Sequence, residues 1–253
     1  MIKKPIVLAT LSVLFSALSH ADTLGVYAGT GNWKPEFKGN FQDGTTQIGL
    51  GSGTNSLNIE EKNQTNFYIA LEHPIPFLPN FKLATLDLES GGSGTFNQVV
   101  NFGGQNFTIN DTLVSSFDLS HQDFVFYYEL LDNWVNLDLG LTLRKFDGFV
   151  TLTSQNNASD TATETFDETI PMLYGKARFD LPLTGLSFNA DINYISASGD
   201  TVTDTAFYVG YETSVGLGIE GGVRTFSLEV DDANDLSADL DFEGAFVHVT
   251  FHF

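Results

Sequence analysis

The side chains best equipped for chemistry in this chain are its histidines and acids, and their spacing favours no preassembled catalytic or metal centre. Of five histidines, four (His73, His121, His248 and His252) lie outside the apolar N-terminal stretch. His248 and His252 stand four residues apart in an alternating segment, on one face of a strand. Side chains so placed sit about 13 Å apart, too far to share one metal ion. Polar residues of an interface or an interior are the simpler reading. Cysteine is absent, which excludes disulfides, thiolate ligands, a Cys nucleophile and an acylated lipoprotein N-terminus. The run from Gly49 to Gly53 precedes no helix that would receive a phosphate, so it reads as a flexible loop. No cofactor is expected.

The elements that position these residues are strands. Val135, Leu137, Leu139, Leu141 and Leu143 fall on one face, while Asn136, Asp138, Gly140, Thr142 and Arg144 fall on the other. A helix would scatter those leucines around its circumference. The same period-two alternation recurs at 67–72, 123–130, 173–181, 186–194, 207–212 and 245–253, with weaker candidates at 24–34, 81–90 and 216–229. Ten strands result, eight or twelve being the neighbouring counts. Short turns fall at 74–80, 131–133, 182–185 and 212–216. They alternate with longer polar segments at about 35–63, 91–116, 152–168, 197–202 and 230–239.

Lys3 and Lys4, the apolar stretch Pro5 to Leu18 and the sequence Ser19-His20-Ala21 read as a cleaved export signal over residues 1–21. The apolar stretch is too short for a spanning helix, which needs about 20 residues. Residues 22–253 then form one β-domain. The leader holds two of the 11 Lys and Arg and none of the 32 Asp and Glu, so the mature chain carries about −23. Such a charge repels nucleic acid.

Short turns alternating with long ones, and strands with one apolar and one polar face, describe an antiparallel up-and-down transmembrane β-barrel. A soluble barrel with the faces inverted is the competitor, because alternation alone does not say which face is inside. Charges on the wet faces favour the membrane, as do Phe81, Trp134, Tyr194 and Tyr211 near strand ends. The C-terminus adds to this. Ala245 to Phe253 resembles the terminal β-signal of bacterial outer-membrane proteins, with Val247, Val249, Phe251 and Phe253 at alternate positions. The resemblance covers nine residues and implies recognition by the barrel-assembly machinery. It also implies integral residence in the outer membrane of a Gram-negative cell, in contact with lipid and lipopolysaccharide.

In that setting the wet faces bear on function. Lys176 and Arg178 lie between Asp138 and Asp191 on the adjacent strands, and Glu220 shares a face with Arg224. With Arg144, these residues are expected to form a charge network that plugs a narrow lumen. A structural or surface-loop role follows, with a small-solute channel and a rim hydrolase as alternatives. Outer-membrane phospholipases and lipid A deacylases place a serine two residues after a histidine, and none of the four histidines has that neighbour. Omptin proteases use acids and a histidine at the outer rim, which His121 beside Asp118 and Asp123 faintly resembles. Glu229 to Glu243 holds seven carboxylates, with Asn234 among them, and no base. Counted from Asp232, it breaks the calcium-loop pattern at Leu236. Divalent cations bridging these acids to lipopolysaccharide phosphates are one reading of it, and a solvated loop is the other.

Overall fold

The computed structural model describes residues 24–43, 46–233 and 236–253. The proposed export signal, residues 1–21, lies outside them. The described residues contain fifteen strands: β1 (Gly25–Asp43), β2 (Thr46–Gly49), β3 (Gln64–Glu72), β4 (Asn80–Leu86), β5 (Glu89–Phe96), β6 (Val100–Phe102), β7 (Gln105–Phe107), β8 (Asp111–Asp118), β9 (His121–Leu131), β10 (Val135–Ser154), β11 (Thr161–Asp180), β12 (Leu186–Ala197), β13 (Asp200–Glu212), β14 (Leu217–Ala233) and β15 (Leu236–His252).

Ten of them close a barrel in the order β1, β3, β4, β9, β10, β11, β12, β13, β14, β15 and back to β1. Every pairing is antiparallel. The closing seam runs from Tyr27 opposite His252 to Asp43 opposite Leu236. Each of the ten strands read from the sequence is a wall strand.

The orientation of the faces settles which competitor is right. Leu139, Leu141 and Leu143 are exposed on the outside, as are Phe207, Val209 and Tyr211, and Val247, Val249 and Phe251. Asp138, Thr142 and Arg144 are buried inside. An apolar exterior around a polar interior is the arrangement of a membrane-spanning barrel. We therefore expect Leu139→Arg to destabilise the barrel by about 2–4 kcal/mol, as for a basic residue facing lipid near the midplane. Denaturant titration in lipid vesicles measures this. A smaller loss than that of Leu139→Ala would mean that position 139 does not face lipid.

The strands outrun the bilayer. A tilted strand crosses with about 9–11 residues, whereas β10 and β11 each contain 20. Above the crossing segment the pattern inverts without any change of register. On β10 the inward face continues from Arg144 to Phe146, Val150 and Leu152, while Lys145, Asp147, Thr151 and Thr153 face out. On β14 the inward residues pass from Glu220 and Arg224 to Phe226 and Leu228. This upper deck has the inside of a soluble protein. Trp33, Phe37, Leu86, Leu88, Phe146, Met172, Phe226 and Phe242 share one apolar cluster. A second holds Ile48, Leu57, Phe96, Phe102, Phe107 and Leu152.

The deck corrects the expectation of long loops. Much of 35–63, 91–116, 152–168 and 230–239 is strand. β8 replaces β9 beside β10 from Phe149 to Ser154, and β5 pairs β8. The segment 81–90 is divided: β4 pairs β9, and β5 begins afresh at Glu89. The acidic stretch from Glu229 to Glu243 is also laddered between β14 and β15 rather than looped, with Asn234 and Asp235 outside the described residues. Between β12 and β13 the connection shrinks to Ser198 and Gly199, at φ +59° and +104°. Two successive left-handed residues make the tight turn that suits the strand twist of a hairpin.

Candidate functional site: the barrel interior

Four charged side chains close the interior where the polar lumen meets the apolar deck. Arg144 on β10 lies directly opposite Asp123 on β9. Its Nε and Nη2 donate to the two Asp123 oxygens, both at 2.7 Å. Nη2 also reaches Asp204 on β13 at 2.6 Å. Since β11 and β12 separate β10 from β13 in the wall, this contact crosses the lumen. Asp204 accepts two more bonds from Arg224 on β14, at 2.8 and 2.6 Å. Arg144 is 0% exposed. Charge-assisted, bidentate pairs of this kind are the strongest hydrogen bonds available to arginine.

An aromatic layer covers the network. The Arg144 guanidinium lies 5.4 Å from the Phe226 ring, and that of Arg224 lies 5.1 Å from the Trp33 ring. Trp33 is fully buried, and its Nε1 donates to Gly244 O at 3.1 Å. His121 packs between Phe146 and Phe226, at 5.0 and 5.8 Å between ring centroids. Its Nδ1 meets Leu119 O at 3.0 Å. The rim cluster imagined around it does not assemble: Asp123 is committed to Arg144, and Asp118 accepts from Ser120 N at 2.8 Å.

Below the network is a cavity of about 410 Å³ that reaches the short-turn end at Asp132 and Glu212. Lys176, Arg178, Asp138, Asp191 and Glu220 all line it. By register Lys176 stands between Asp138 and Asp191, as the spacing implies. Arg178, however, pairs with Asp180 of its own strand at 2.8 Å, and Asp191 accepts from Tyr208 at 3.2 Å. Glu220 turns to His248 at 3.6 Å rather than to Arg224. The lower charges therefore line a chamber, while Arg144 and Arg224 take part in the crossing network.

Sequence reasoning missed Asp123, Asp204 and Trp33 as members of that network. Asp123 already stood on the wet face of its strand. Asp204 lay before the assigned start of its strand at 207, where Thr203 and Thr205 left no apolar face to read. At the seam, Val26 and Phe253 exchange both backbone bonds, at 2.8 and 3.1 Å, so the terminal residue joins the ladder with its ring exposed.

No protein-family model and no curated protein sequence matches the chain. Among solved structures, the outer-membrane protease OmpT of Escherichia coli superposes with a TM-score of 0.51 at 10% identity, over 92% of this chain and 97% of that one. The transport unit of the autotransporter AIDA-I from E. coli gives 0.42 at 7% identity, with both chains covered in full. The attachment invasion locus protein Ail of Yersinia pestis gives 0.31 at 8% identity, over 91% and 99%. The OmpT likeness is one of fold. With the apolar exterior, it makes this chain an integral outer-membrane β-barrel.

Proposed function

We propose that the protein is a non-conducting, non-catalytic barrel that anchors a rigid deck at the cell surface. One observation carries this reading: the buried arginine Arg144 ties β9 to β13 across the lumen, beneath a continuous aromatic layer. Eight-stranded barrels are filled by side chains and 16-stranded ones hold a channel, and ten strands with a crossing network fall toward the filled end. In this reading the exterior contacts lipid, and the barrel-assembly machinery takes the C-terminal strand. The outward acids Asp239 and Asp241 face lipopolysaccharide phosphates through divalent cations, beside Glu36 and Glu243, which bracket Lys38 at 2.9 and 4.0 Å.

The chamber below the network favours a second reading, a solute channel whose gate is the network. Single-channel recording in planar bilayers separates the two. We expect no reproducible conductance from the parent protein and, because the aromatic layer remains above the network, none from Arg144→Ala; open steps from Arg144→Ala would favour the gated channel. Steady conductance from the parent would transfer the assignment to a channel. Lipid or peptide cleavage that disappears in His121→Ala would establish an enzyme instead.

A further inference from the structure

The wall is incomplete above the β12–β13 hairpin. β11 pairs β10 along its whole length, from Thr161 opposite Thr153 to Phe179 opposite Val135. It pairs β12 only from Leu173 to Asp180. Pro171 has no N–H to continue that ladder, and the β12–β13 hairpin turns back at Ser198 and Gly199. From Thr161 to Ile170, among the described residues, no strand lies on the far side of β11.

The ladder phase says which groups are left over. Ser154 N bonds Asp160 O, and Asp180 N bonds Trp134 O, so the even-numbered residues of β11 exchange bonds with β10. In an antiparallel ladder the alternate residues point both groups the other way. Thr161, Thr163, Thr165, Asp167 and Thr169 therefore present N–H and C=O to the open side, along an edge of about 27 Å.

Such edges template further strands unless they are blunted by bulges, charged side chains, proline or a covering segment. Among the described residues no bulge and no covering strand lies along Thr161 to Ile170, and Pro171 stands just beyond its end. Glu164, Glu168 and Asp167, the last paired with Lys145 of β10 at 3.7 Å, make the edge acidic. Behind it the half-buried Phe166 and Ile170 pack against the deck cluster, and Ala162 is buried in the second. We infer that this edge docks an extended peptide with basic residues at alternate positions. Its backbone would complete the ladder, and its bases, on the face shared by Glu164 and Glu168, would meet those acids. A second copy of this chain is disfavoured, because edge-to-edge pairing sets acid against acid. The chain's charge of −21 also draws basic partners from a distance. The inference rests on the surface-anchor reading only for the outward placement of the deck, which proteolysis or labelling of the deck on intact cells tests separately.

The test uses the full chain refolded in detergent micelles and a fluorescein-labelled (Lys-Val)5 decapeptide, followed by anisotropy. A (Lys-Pro)5 twin keeps the charge but cannot form a strand. Thr165→Pro removes an N–H on the open side and none directed at β10. We expect saturable binding of the first peptide, at least tenfold weaker for the twin and for Thr165→Pro, and severalfold weaker for Glu168→Gln. Equal binding of the two peptides, or indifference to Thr165→Pro in a barrel that stays folded in cold SDS, would reduce the effect to charge attraction and overturn the inference. So would no binding at millimolar peptide. Self-association of the parent, relieved by Thr165→Pro, would overturn it in favour of a second copy.

Discussion

Replacing Arg144 with alanine should lower the stability of the folded barrel by about 3–5 kcal/mol, the usual cost of removing one partner from a buried ion pair. Asp123 would lose both of its guanidinium bonds, and Asp204 would keep only Arg224. The aromatic layer covers both acids from above, and both line the chamber below. Urea titration of the refolded protein, read by tryptophan fluorescence, measures the loss. A cost below about 1 kcal/mol, typical of an exposed pair, would mean that water in the chamber already screens these charges. A double-mutant cycle of Arg144→Ala and Asp204→Ala isolates the contact across the lumen. Additive losses would show that the two residues merely share a hydrated interior.

Trp33→Ala is the second large effect expected, at about 3–5 kcal/mol for truncating a buried aromatic residue. The indole fills the deck floor, donates to Gly244 O and covers Arg224. Trp33→Phe keeps most of the volume and loses the hydrogen bond, so it should cost about 1 kcal/mol. The exposed Trp134 serves as the fluorescence reporter for both variants. Equal costs for the two substitutions would show that the deck floor is loosely packed, against the burial of its rings.

What the sequence made legible was the lipid-crossing half. There the apolar face is lipid-facing and continuous, as in Val135 to Leu143, and the alternation stands out against any turn. The deck was illegible because its outward face is polar and its inward face uses widely spaced apolar residues. Thr161-Ala162-Thr163-Glu164-Thr165-Phe166 looks like a solvated loop until β10 is laid beside it. The charge network shows the same limit in three dimensions. Strand adjacency places Lys176 opposite Asp138 and Asp191, because neighbours in the wall follow from chain order. The contact of Arg144 with Asp204 joins strands three apart, and only barrel closure brings them together.

The inversion of faces along β10 and β11 also constrains how the barrel is made. The distal half of this hairpin carries Lys145, Asp147, Glu164, Asp167 and Glu168 on or near its surface. Inserted from the periplasmic side, it must traverse the hydrocarbon before its apolar inward face has a core to join. A carboxylate held at the bilayer centre costs about 2.5–3.5 kcal/mol, and this tip brings several at once. We expect passage of the hairpin tip to slow biogenesis, and neutralising Glu164, Asp167 and Glu168 to speed it. The deck condenses only after translocation, when water wets one face and the aromatic rings find each other on the other.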